Sequence, residues 1–192
     1  MKSSVSRQPR GFTLVELLVV IAIIAVLASA GFAAANAAIQ KARKTTALAT
    51  ATALESAVNN FFNDYGTMPK EGSSDGAPIQ TDTDTAFLNV LLGNDDTLNP
   101  RGIRFLSVKE GKGNKNGLIY SANGNSIEGL YDPWGGPFFV LLDLDLNEKV
   151  SIPSGVLNGA RTLNGRRVAV WSRGADFEDN NKPTDDVITW GN

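Results

Sequence analysis

The sequence predicts an α+β protein in which one long N-terminal helix precedes a smaller, strand-rich globular domain. Three observations predict it. From Leu17 to Gln40 there is no charged side chain, and Leu17 to Leu27 is almost wholly aliphatic. Ala33 to Tyr65 then runs without proline or glycine and is dense in alanine, the best helix former. Beyond Pro100 the chain breaks into short apolar segments separated by Gly, Asn, Asp and Pro, the pattern of strands and turns.

At about 1.5 Å rise per residue, roughly 20 apolar residues cross the hydrocarbon core of a bilayer, so the first run is long enough to span one. Glu16 sits at its start. A carboxylate in that core costs about 2.5–3.5 kcal/mol, which makes an intramembrane acid a functional candidate. A cut between Gly11 and Phe12 would create an α-amino group one helical turn from Glu16. Two plainer readings compete. A secretory signal peptide would use the basic stretch of Lys2, Arg7 and Arg10 and cleave after Ala28-Ser29-Ala30. The apolar run is long for such a signal, however, and helix-forming sequence continues through that cut. A simple single-span anchor explains neither Gly11-Phe12 nor the position of the acid.

Composition narrows the function. The chain has 192 residues, with a formal net charge of -2. Losing the three basic residues of 1–11 leaves -5, which is no nucleic-acid footprint. The absence of cysteine removes any disulfide framework or thiolate metal site. The absence of histidine removes the usual general base, and no pair of carboxylates forms a persuasive shared site, so no enzymatic activity is expected.

The elements follow in order. Ala47, Ala51, Leu54, Val58, Phe61 and Tyr65 recur every three or four residues and form one helical stripe. A continuous helix from Phe12 to about Asp64 would be about 80 Å long, with its weakest point at Gly31 to Asn36. Gly66 and Pro69 end it. Lys70 to Asp84 reads as an exposed loop, and Thr85 to Leu92 as a short helix capped by Asp84 and stopped by Gly93. Ile103 to Val108 reads as a strand. Gly111 to Gly117 lacks the Gly-Lys-Ser/Thr ending of a phosphate cradle and reads as a mobile hairpin loop. Asp132-Pro133-Trp134-Gly135 fixes a turn whose aromatic can plug a crevice between helix and sheet. Phe138 to Asp145 reads as a strand with a wet face. Asp143-x-Asp145-x-Asn147 has the opening spacing of an EF-hand loop, but Glu148 and Ser154 stand where its glycine and final acid belong. Arg167 to Ser172 is the last clear strand. The acidic, irregular segment after it could hold a hard cation through oxygen donors, or be a solvated acidic tail.

A basic leader followed by Gly11-Phe12-Thr13-Leu14-Val15-Glu16-Leu17-Leu18-Val19-Val20-Ile21 resembles the signal of type IV prepilins and type II secretion pseudopilins. Tyr65–Pro69, Asp132–Gly135, Ser172–Asp176 and Asp185–Trp190 resemble successive landmarks of the type II secretion major pseudopilin. The resemblance implies a pilin-like fold, with a long helix packed on a small antiparallel sheet and an irregular C-terminal loop. It divides the chain into a cleaved leader (1–11), a membrane and filament-core helix (12–35), its amphipathic continuation (36–65) and a globular domain (66–192).

It further implies that a prepilin peptidase and N-methyltransferase removes the leader after Gly11 and methylates Phe12. Glu16 then serves assembly, and the partners are copies of the chain, other pseudopilins, an inner-membrane assembly platform and lipid. Three basic residues before the span are balanced by Lys41, Arg43 and Lys44 after it, so the resemblance sets the orientation, with the leader in the cytoplasm and the domain in the periplasm. It implies a calcium ion held by the carboxylates of Asp176, Asp185 and Asp186 and the backbone carbonyl of Arg173. Phe177 departs from the glycine usual after the first acid, and Asp143–Gly165 reads as an added excursion. A secretion pseudopilus subunit is the expected function, a type IV pilus subunit the second reading, and a binding module released after Ala30 a third.

Overall fold

The computed structural model describes residues 11–73, 76–124, 126–156, 159–179 and 186–191. It divides into two units, 1–41 and 42–192. Helix α1 covers Leu14–Tyr65 and is unbroken through Gly31 to Asn36. In the first unit every large apolar side chain from Leu14 to Leu27 is exposed.

Within the second unit the expected stripe is the core. Ala47, Ala51, Leu54, Ala57, Val58 and Phe61 are at most 1% exposed. Their small and branched side chains let the helix approach the domain closely and replace water with apolar contact. Phe61, Tyr65 and Phe105 form a ring cluster with centroids 4.7–6.1 Å apart. Gly66 ends the helix in the left-handed region (φ 74°), its N–H donating to Phe62 O at 2.8 Å. Helix α2, Thr85–Leu92, has the expected Asp84 cap and left-handed Gly93 stop.

The main sheet contains β1 (Ile79–Gln80), β4 (Phe139–Leu142), β7 (Val168–Ser172) and β8 (Val187–Ile188), antiparallel in that spatial order. Two hairpins accompany it: β2 (Gly117–Tyr120) with β3 (Ile127–Tyr131), and β5 (Lys149–Ile152) with β6 (Arg161–Asn164).

Three expectations are corrected. Ile103 to Val108 is extended but is no strand. Its N–H groups are used elsewhere, Phe105 and Leu106 donating to Leu91 O at 2.9 Å and Ile103 to the buried Asn99 Oδ1 at 3.1 Å. The strand expected over Phe138 to Asp145 stops at Leu142, because Asp143 turns inward and accepts the N–H groups of Asn147 (2.9 Å) and Glu148 (2.8 Å). Its wet face is absent. Val140, Leu142, Val168 and Val170 join the helix-side core, while Phe139, Leu141, Ala169 and Trp171 meet Val150, Ile152, Val156 and Trp190 in a second cluster. The excursion between β4 and β7 thus buries the sheet's other face. Phe139 stacks on Trp171 at 5.3 Å, and Trp171 meets Trp190 edge-on at 6.0 Å.

Arg166 Nη1 donates to Glu55 Oε1 at 2.9 Å, tying α1 to the turn between β6 and β7. If the second cluster is a true core, Ile152→Ala lowers unfolding stability by about 2–5 kcal/mol. Urea unfolding would show this as a lower midpoint at unchanged slope, whereas a solvated sheet face would lose under about 0.5 kcal/mol.

Candidate functional site

The N-terminal site is built around a reciprocal cap. Thr13 donates both its N–H (2.9 Å) and its hydroxyl (2.8 Å) to Glu16 Oε2, and Glu16 N–H donates back to Thr13 Oγ1 at 3.2 Å. This is a capping box, in which two of the orphan donors at a helix start are satisfied by side chains three residues apart. Sequence reasoning singled out Glu16 and missed Thr13, although Thr-x-x-Glu ahead of an apolar run carries the signal. A methyl group added to Gly11 would meet nothing within 4 Å, and Phe12 is 79% exposed. Neither residue is required by the chain's own packing. Met1 to Arg10, which hold the expected leader, lie outside the described residues.

The C-terminal residues expected to bind calcium are spread over the turn after β7 and the approach to β8. Asp176 is exposed, and its Oδ1 accepts the N–H of Glu178 at 3.0 Å. Asp186 is buried at 5% exposure, immediately ahead of Val187. Arg173 sends its guanidinium to Asp179 at 2.6 Å and lies 4.2 Å over the Phe139 ring. Asp185 lies outside the described residues. Among the described residues no group of three or more His, Cys, Asp or Glu is placed to hold a metal ion. Phe177 keeps the left-handed conformation that glycine would serve, with φ 61° and half its surface exposed. That backbone costs a side-chain-bearing residue about 1–2 kcal/mol.

The Asp132-Pro133-Trp134-Gly135 turn contains an unexpected hub. Asp132 is 1% exposed. Its Oδ1 accepts N–H groups from Trp134 (2.8 Å), Gly135 (2.7 Å) and Gly136 (2.9 Å), and its Oδ2 accepts the Ser172 hydroxyl at 2.5 Å. Ser172 Oγ in turn accepts the Gly174 N–H at 3.1 Å. One carboxylate therefore shapes its own turn and anchors the end of β7. Trp134, expected to plug the crevice between helix and sheet, is buried in the cluster that contains the helix stripe.

Burial pushes the Asp132 carboxyl above its usual range, opposed by the Ser172 hydroxyl and the three backbone N–H groups. A raised folded-state value means that this contribution to stability is full below about pH 3.9 and is lost as pH rises through the folded value. Asp132→Ala orphans several buried donors and is expected to cost about 3 kcal/mol or more in unfolding experiments. Asp132→Asn keeps the acceptor for the turn. Wild type is expected to gain stability relative to that variant as pH falls from neutral toward about 4.

The chain was compared with known families, curated proteins and solved structures, and the family match falls at its N-terminus. Residues 6–32 match the family model described as a prokaryotic N-terminal methylation motif. A fimbrial protein of Neisseria meningitidis serogroup A is 34% identical over 73 residues, 38% of this chain and 43% of that relative. The chain thus spans less than half the length of this curated relative. No solved structure matches. The motif covers Gly11 and Phe12, which the chain's own packing does not require, and the capping pair Thr13 and Glu16. A long N-terminal helix followed by small antiparallel sheets gives the chain a pilin-like layout, headed by a prokaryotic N-terminal methylation motif.

Proposed function

We propose that this chain is a structural subunit of a type II secretion pseudopilus, a helical filament assembled from the inner membrane to drive protein export. The observation that carries this reading is the methylation motif at the head of a helix whose apolar side chains are all exposed from Leu14 to Leu27. Exposed apolar surface on that scale needs lipid or other subunits to cover it. Among the described residues, α1 is long and apolar enough to cross a membrane.

The mechanism follows from charge. A prepilin peptidase removes the leader on the cytoplasmic side, methylates Phe12 and leaves an amino terminus. The subunit waits as a single-pass inner-membrane protein with its domain in the periplasm. There the Thr13–Glu16 cap supplies the carboxylate with two donors before any partner arrives. On assembly by the inner-membrane platform, Glu16 of one copy compensates the Phe12 amine of the next. Removing one member of such a buried pair leaves the other uncompensated, at about 3–5 kcal/mol, so the pair specifies register. Other pseudopilins join as partners, and no catalytic step belongs to this subunit.

The Ser172–Asp176 and Asp185–Trp190 landmarks and the absence of cysteine favour the secretion pseudopilus. The likeness to a fimbrial protein favours a second reading, a type IV pilus subunit for motility, adhesion or DNA uptake. A calcium ion held by Asp176, Asp185, Asp186 and the Arg173 carbonyl belongs to the first reading, supported by an all-oxygen donor set and the burial of Asp186.

Glu16→Ala is expected to be inserted and cleaved normally but to form filaments poorly, read by filament yield against processed subunit. Normal yield would reject the assembly role. Calcium is expected to raise the melting temperature of wild type and not of Asp186→Ala, and a chelator to reverse the gain. Identical melts in calcium and chelator would remove the metal from the account.

A further inference from the structure

The whole of the mature charge of -5 resides in residues 66–192, where 12 Lys and Arg face 17 Asp and Glu. Three of the 12 cations nevertheless share one loop, with Glu110 the one acid among them. Lys109, Lys112 and Lys115 are exposed and form no ion pair among the described residues. Lys70, Arg101, Arg166, Arg167 and Arg173 are paired, while Arg104, Lys149 and Arg161, scattered over other elements, form no ion pair among the described residues.

The loop that carries the three lysines is tied down rather than loose. Gly111 N–H donates to Leu118 O (2.9 Å), Lys112 N–H to Lys115 O (3.1 Å), Leu118 N–H to Lys109 O (3.0 Å) and Asn116 N–H to Asp132 O (2.7 Å). Gly111 and Gly117 admit no side chain. A methyl group would stand 2.4 Å from Lys115 O at the first and 2.3 Å from Lys109 O at the second. The cations are thus presented on a fixed knuckle.

Phe177 packs on the same turn that carries the Lys115 stem. A methyl group on Gly135 would lie 3.3 Å from Lys115 Cε, and one on Gly136 3.3 Å from Phe177 Cδ1, so the lysine stem and the phenyl ring rest on consecutive residues of one turn. Phe177 holds φ 61° with 49% of its surface in water. The ring gains partial burial against Gly136, and the half left in water is apolar surface that the domain itself does not cover. An exposed aromatic rimmed by charge is the make-up of a protein interface.

We propose that the Lys109–Lys115 knuckle and Phe177 form a docking surface for a second copy of this chain, on whose domain they meet acidic surface. Charge complementarity selects this occupant. Copies with a domain charge of -5 repel one another unless opposite charges are set face to face. The same domain offers exposed carboxylates at Glu71, Asp96 and Glu128 that form no ion pair among the described residues. A surface that binds a different surface of an identical copy is head-to-tail, the arrangement that yields an open helical filament. The inference rests on the filament reading above and adds where the domains touch.

The test uses the absence of native cysteine. Full-length Lys112→Cys and Phe177→Cys are each expressed in the native host and labelled with a maleimide, once in isolated filaments and once as membrane subunits in detergent. Labelling is expected to be slower by about tenfold or more in filaments, as burial in an interface requires. The charge-reversed variant Lys109→Glu/Lys112→Glu/Lys115→Glu is expected to be cleaved normally and to lose about tenfold or more of the filament yield. Equal labelling rates in both states, or normal yield from the charge-reversed variant, would overturn the proposal while leaving the filament reading intact. Protection already present in unassembled subunits in native membranes would assign the surface to lipid or another protein and overturn it too. Wild type that forms no filament would remove both readings.

Discussion

A carboxylate at the head of an apolar helix has to be compensated, and Thr13 compensates Glu16 with two hydrogen bonds while Glu16 N–H donates back. That arrangement does two things at once. It satisfies orphan donors at the start of α1, and it spares the acid the full cost of standing bare among Leu14, Val15 and Leu17. A local cap made of neutral donors lacks the Coulomb attraction that a charged amine adds to its hydrogen bond with the carboxylate. The chain therefore carries an acid that is tolerated where it stands and better satisfied by an ammonium, which is the property a processed and assembling subunit needs.

The domain is organised by the same kind of economy. Buried carboxylates at Asp132 and Asp143 each collect several backbone N–H groups and so fix turns that no regular element would hold. Asp132 also reaches Ser172, so the turn ahead of β4 and the end of β7 share one anchor. With helix α1 on one face of the sheet and the β5–β6 hairpin with Trp190 on the other, β4 and β7 have no solvated side. What remains on the surface is then informative: three unpaired lysines on a fixed loop, and Phe177 in a conformation suited to glycine.

Features written in local chemistry were legible in the sequence. The stop at Gly66, the Asp84 cap and the Gly93 stop of α2 depend on one or two residues each and stand where expected. The helix stripe was legible because its period is a property of the chain alone. Features set by distant partners were not. Ile103–Val108 has the apolar content of a strand, yet its donors are claimed by Leu91 O and Asn99 Oδ1. Phe138–Asp145 alternates as a half-solvated strand, and only the folded hairpin of Val150 and Ile152 shows that its second face is covered. The cap residue Thr13 was legible in principle, three residues before a glutamate, and was overlooked beside the acid it serves.

Mass spectrometry of the protein purified from its native host tests the central claim most directly. The account predicts a polypeptide that begins at Phe12 with a single methyl group on its amine, which places the positive terminus one turn from Glu16. An intact leader, or a chain that begins at Gly31 or at any residue other than Phe12, would contradict it.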